Sequence, residues 1–153
     1  NLAAGLDIGR EQFGASDLET LVARIKGDRV NRFDTRDQLL DFSRDAVIRA
    51  RTRLGQWFAA APRADVTVEP YPAFLEREMS DSYSPAAEDS SRAAKYQITL
   101  YGFADATRSN AEITAFHEAF PGHHLQIGLA LERPAAHVHR QRFGHVPLYA
   151  WRG

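Results

Sequence analysis

Apolar residues recur along most of this chain at the spacing of a helix. Leu18, Leu21, Val22 and Ile25 repeat at intervals of three and four, with Ser16 or Asp17 as a cap and Gly27 as a stop, and predict a short helix. Leu39, Leu40, Phe42, Val47, Ile48, Leu54 and Phe58 predict a longer one, started by Thr35 or Asp37 and running toward Pro62. A third helical pattern covers 109–132. Ser109-Asn110-Ala111-Glu112 fits a capping box, Ile113, Phe116 and Phe120 form an apolar stripe, and Leu125, Leu129 and Leu131 carry it on to Arg133-Pro134.

Between these helices the period changes. Val66-Thr67-Val68 reads as a strand bounded by Pro70 and Pro72, and Tyr96 to Tyr101 as a stronger one, ended by Gly102. Residues 79–93, rich in Ser, Asp and Ala, read as a surface loop. Residues 1–15 are Gly-rich without a clear period and read as a loop or the remnant of an earlier element. The expected fold class is mainly α with a small β element, forming a single segment over residues 1–153.

Composition narrows the function classes. At 44% hydrophobic and 25% charged, the 153 residues suit one globular domain. A net charge of −1 gives no bulk attraction to nucleic acid or anionic lipid. Arg44, Arg49, Arg51 and Arg53 suggest a nucleic-acid face, but Asp41 and Asp45 interleave with them, as on a solvated helix face. The absence of cysteine excludes disulfides and thiolate zinc sites. No apolar run approaches the roughly 20 residues of a membrane span. No charged-then-apolar leader is present, and a chain that starts on Asn1 says little about the compartment of its parent.

The chemistry concentrates in His117-Glu118-Ala119-Phe120-Pro121-Gly122-His123-His124-Leu125-Gln126. Histidines that hold a metal and a glutamate beside the first are the residue kit of a zinc hydrolase. The spacing is unusual, because Pro121 stands where the second histidine of H-E-x-x-H would fall. On a straight helix His117 and His123 differ by roughly 600° and point apart, while His124 lies about 10 Å further along the axis. Zinc–nitrogen bonds of about 2 Å span neither gap. Pro121 denies a hydrogen bond to the His117 carbonyl, and Gly122 tolerates almost any backbone angle. If the two residues loop out as a bulge, His123 drops into the position an i+4 ligand would take, with Glu118 alongside.

The same ten residues resemble the H-E-x-x-P-G-H-x-x-Q signature of the bacterial DUF885 family, whose members are regarded as zincin-like metallopeptidases. Tyr71-Pro72-Ala73-Phe74, Tyr83-Ser84-Pro85, Tyr96 to Tyr101 and the Leu39 to Phe58 helix pattern look like the segment before that motif. The resemblance implies a zincin-like α+β fragment with His117 and His123 as metal ligands and Glu118 as general base. His124 and Gln126 are further motif members. It also implies a third ligand from a Glu-Gly-Trp segment some tens of residues downstream. This chain stops at Tyr149-Ala150-Trp151-Arg152-Gly153, so it looks like part of a longer member in contact with the remainder of its parent.

The expected activity is zinc-dependent peptide hydrolysis. His117, His123 and an external carboxylate would hold one Zn²⁺, and Glu118 would take the proton of the attacking water. The alternative is a non-catalytic helical module with a structural or degenerate metal site. Several roles stay open. Tyr101 or Tyr149 can steady an oxyanion or simply pack. His137 and His139 can bind metal or sit in a surface loop, and with His145 they are the source of a closed four-ligand site. The Tyr96 to Tyr101 strand can align a peptide substrate as an edge beside the metal helix, or pair with 66–68 as core.

Overall fold

The computed structural model describes residues 2–87 and 91–132; His137, His139, His145 and Tyr149 lie outside them. Among the described residues five α-helices, two short 3₁₀ turns and a three-stranded sheet make the mainly α fold with a small β element that the periodicity predicts.

Of the two readings of residues 1–15, a loop or the remnant of an earlier element, the loop is ruled out, because most of the segment is helical. Helix α1 (Leu2–Phe13) contains Gly5 and Gly9, whose poor helix propensity hid it. Gly9 earns its place in packing, since a Cβ there would stand 2.7 Å from the Leu21 side chain on α2 (Leu18–Gly27). Asp17 caps α2 by accepting from the Thr20 N–H.

Helix α3 (Arg36–Arg53) starts on Thr35, whose hydroxyl accepts from the Gln38 N–H. It buries Leu39, Leu40, Ser43, Ala46 and Val47, a stripe at helical period. The helix stops short of Pro62. A 3₁₀ turn over Leu54–Gln56 follows, and the Leu54 carbonyl accepts from both Trp57 and Phe58 as the chain swings toward the sheet. Three of the four arginines singled out on α3 are paired: Arg44 meets Asp41, Arg49 meets Asp45 and Glu112, and Arg51 meets Asp65.

The sheet order is β1-β3-β2, with β1 (Val66–Pro70), β2 (Ser82–Ser84) and β3 (Ala94–Ile98). β1 runs parallel to β3 with Val68 opposite Tyr96, and β2 runs antiparallel on the other side with Tyr83 opposite Tyr96. β3 buries Ala94, Tyr96 and Ile98 in strict alternation. Two sequence expectations shift here. β3 ends at Ile98 rather than Tyr101, because Thr99 leaves the ladder: its N–H donates to Asp81 Oδ1 at 2.9 Å and its hydroxyl to the Glu76 carbonyl at 2.8 Å. And part of the expected 79–93 loop is β2. β3 is therefore the central strand, paired on both sides and without a free edge to align a substrate.

Helix α4 (Arg108–Glu118) packs along α3, and α5 (His123–Glu132) follows after a short break. Thr107, not Ser109, caps α4; its hydroxyl accepts from the Asn110 N–H. The buried face of α4 is Ala111, Ala115 and Glu118, while Ile113 is 65% exposed. Small residues let α4 lie close to α3, so the large apolar side chains of the expected stripe do not define its inner face. Phe120, beyond the end of α4, is buried.

Candidate metal centre

The pattern over 109–132 is two helices joined by Ala119–Gly122, a wider interruption than a two-residue bulge at Pro121-Gly122. Pro121 brings no N–H to the turn. The Gly122 N–H reaches back to the Phe116 carbonyl at 2.9 Å. A Cβ on Gly122 would stand 1.8 Å from the His117 carbonyl oxygen and 2.5 Å from that of Phe116. Real side chains never approach backbone so closely, so only glycine lets the chain cross the end of α4 here.

That crossing brings the two motif histidines together. The rings of His117 and His123 lie 4.6 Å apart, edge to face at 74°. Ligand atoms of His117, Glu118 and His123 all lie within 4.8 Å of one another. Donors sharing one tetrahedral zinc stand roughly 3–4 Å apart, so small side-chain rotations suffice to close this set on an ion. Two imidazoles and a carboxylate are also a donor set that zinc accepts.

The three side chains differ in exposure. His117 is open to solvent, with 64% of its side chain accessible; it does not border a buried stripe, because the inner face of α4 lies elsewhere. Glu118 has 10% of its side chain accessible, with one carboxylate oxygen 4.0 Å from His117 Nε2. Burial pushes its carboxyl above the ordinary range and Asp81 adds to the rise, while His123 and then His117 oppose it. His123 is half-buried.

The remaining motif positions take other roles. His124 is fully buried and lies outside the cluster. Its Nε2 lies 3.1 Å from the Ala64 carbonyl and its Nδ1 3.0 Å from the Tyr83 hydroxyl. Burial holds its pKa below the usual histidine value. Gln126 is exposed on α5. Tyr101 is 59% exposed, carries the Arg77 guanidinium 5.7 Å from its ring centre, and has no contact with the cluster among the described residues.

Two residues behind the cluster received no site role from the sequence, although Tyr83 stands in the Tyr83-Ser84-Pro85 stretch quoted for the family resemblance. Tyr83 on β2 sets its ring 6.4 Å from that of His123 and 5.6 Å from that of His124. Asp81, just before β2, accepts from the Tyr96 hydroxyl at 2.6 Å, and burial raises its pKa. The available signal was an aromatic in a polar stretch, followed closely by Pro85.

Comparisons with known proteins agree with this architecture. No curated protein matches the chain. A solved structure described as "the putative lipoprotein from Colwellia psychrerythraea" superposes with a TM-score of 0.75 at 22% identity, covering 92% of this chain and 25% of that one. This chain thus spans a quarter of that protein's length, and the likeness is one of fold. Residues 3–149 match the family described as "Bacterial protein of unknown function (DUF885)". With nearly its whole length on that pattern, the chain belongs to the DUF885 family.

Proposed function

We propose that this chain carries the metal-binding part of a zinc-dependent peptide hydrolase, with His117 and His123 as ligands and Glu118 as general base. The observation that carries the reading is the α4–α5 break, which gathers the three side chains within 4.8 Å when a straight helix would separate the histidines. When bound, zinc polarises a substrate carbonyl and makes water a nucleophile near neutral pH. Glu118 sits where it can accept the proton of the attacking water and return it to the departing amine. Its burial limits exchange with bulk solvent, while exposed His117 leaves an approach for substrate. The third ligand is proposed to come from the rest of a longer family protein.

A second reading follows from the count of donors. Among the described residues the cluster reaches three only if Glu118 is itself a ligand. Glu118 would then hold the ion and be lost as a base, leaving a structural metal site. Glu118→Gln separates the two readings in a full-length family protein carrying this segment. The catalytic reading expects zinc content near wild type with peptide hydrolysis reduced by at least about 100-fold. Loss of zinc from that variant would instead assign Glu118 to the metal, and substantial hydrolysis would remove it from the mechanism.

A further inference from the structure

The break that brings His123 to His117 also interrupts the helix that carries them, leaving turn hydrogen bonds from Gly122 N–H to the Phe116 carbonyl and from His124 N–H to the Ala119 carbonyl across it. Four non-helical residues separate α4 from α5, so helical continuity does not set where His123 points. His124 lies in the first turn of α5, and its two hydrogen-bond partners lie far away in sequence: Ala64 precedes β1 and Tyr83 lies on β2.

The chemistry of those anchors fixes the tautomer. A carbonyl oxygen only accepts, so His124 Nε2 carries the hydrogen and donates it to Ala64. Nδ1 is then a bare lone pair, and the Tyr83 hydroxyl donates to it. Both ring nitrogens are spent, and neither is left for an ion. Phe120 closes the remaining side, with its ring centre 4.8 Å from that of His124. The Tyr83 ring also lies beside His123, so one tyrosine touches both the anchor and the ligand.

Resting on the reading that His117 and His123 take a metal, we propose that Tyr83 and His124 are positioning residues for the ligand His123, with the Tyr83 hydroxyl and the Ala64 carbonyl clamping His124 so that α5 presents His123 to His117. This gives the adjacent histidines opposite tasks: His123 binds, and His124 holds the helix that binds. Groups that orient metal ligands from outside the coordination sphere typically change affinity 10- to 100-fold when lost.

The test is metal binding by a full-length family protein carrying this segment, wild type against Tyr83→Phe, His124→Ala and His124→Gln. Tyr83→Phe keeps the ring and removes only the donor. Gln retains one donor and one acceptor where the imidazole had them. Near-ultraviolet circular dichroism establishes that each variant is folded before zinc is titrated and the Co²⁺ absorption spectrum recorded. Folded Tyr83→Phe and His124→Ala should bind zinc about 10-fold or more weakly and shift the Co²⁺ bands, with His124→Gln recovering part of the affinity. Unchanged affinity and an unchanged Co²⁺ spectrum in folded Tyr83→Phe would overturn the proposal while leaving the metal site standing. Wild type that takes up no zinc would overturn the site itself, and this inference with it. A measurement on wild type alone decides the matter if a variant fails to fold. On adding zinc, the imidazole ¹⁵N resonances of His117 and His123 should move, while those of His124 keep the pattern of a protonated Nε2 and an accepting Nδ1. A metal-bound shift at His124 would refute the proposal.

Discussion

Gly122 has less freedom of identity than the histidines it separates. Any side chain there must displace the His117 carbonyl, 1.8 Å from where its Cβ would stand. Gly122→Ala is therefore expected to cost about 2–4 kcal/mol and to lower metal uptake as well, because the backbone that yields belongs to His117, the proposed ligand. Urea unfolding with and without zinc measures both; a loss below about 0.5 kcal/mol would mean that the turn relaxes freely. The sequence made His117, Glu118 and His123 legible because they fall within seven residues of one another and the obstacle, Pro121-Gly122, lies between them. It named His123 as the ligand candidate and left His124 a motif member without a role. The partners that occupy both ring nitrogens of His124, Ala64 and Tyr83, were out of reach because they lie 60 and 41 residues away.

The helices and strands were legible where local period and caps agreed. Asp17 and Thr35 start their helices as their side chains predict. The start of α4 was misplaced by two residues, since Thr107 and Ser109 both offer a hydroxyl and only the structure shows which one meets a free N–H. Thr107→Ala should destabilise the protein by about 1 kcal/mol, while Ser109→Ala should cost much less. Paired chemical-denaturation curves check this, and equal losses would mean that the cap is shared. Helix α1 was missed because two glycines lower its propensity, and β2 because three residues are too few to show a period. The role of β3 was open for another reason. Alternation shows that a strand is half or wholly buried, but not whether neighbours pair on both of its edges.

At the scale of the molecule, composition and periodicity revealed the class of fold, and pairing of β1 with β3 was one of the two roles weighed for the second strand; its parallel sense, and β2 on the far edge of β3, were out of reach of any local signal. Apolar surface remains uncovered on the outside. Trp57 is 81% exposed and Phe74 82%. In this chain with Trp151 replaced by phenylalanine, Trp57 should emit as a solvent-exposed indole and be quenched efficiently by acrylamide. Blue-shifted, protected emission would show that chain outside the described residues, or a second copy, covers that face. The clamp on α5 also limits how far this site can travel. A protein engineer who moves only His117 to Gln126 into a new scaffold transfers the proposed ligands and the hinge between them. The graft lacks the hydroxyl and the carbonyl, supplied here by a strand and a loop, that tell the second helix where to stop turning. A portable version has to bring those two contacts along or find a host that already offers them at the same spacing.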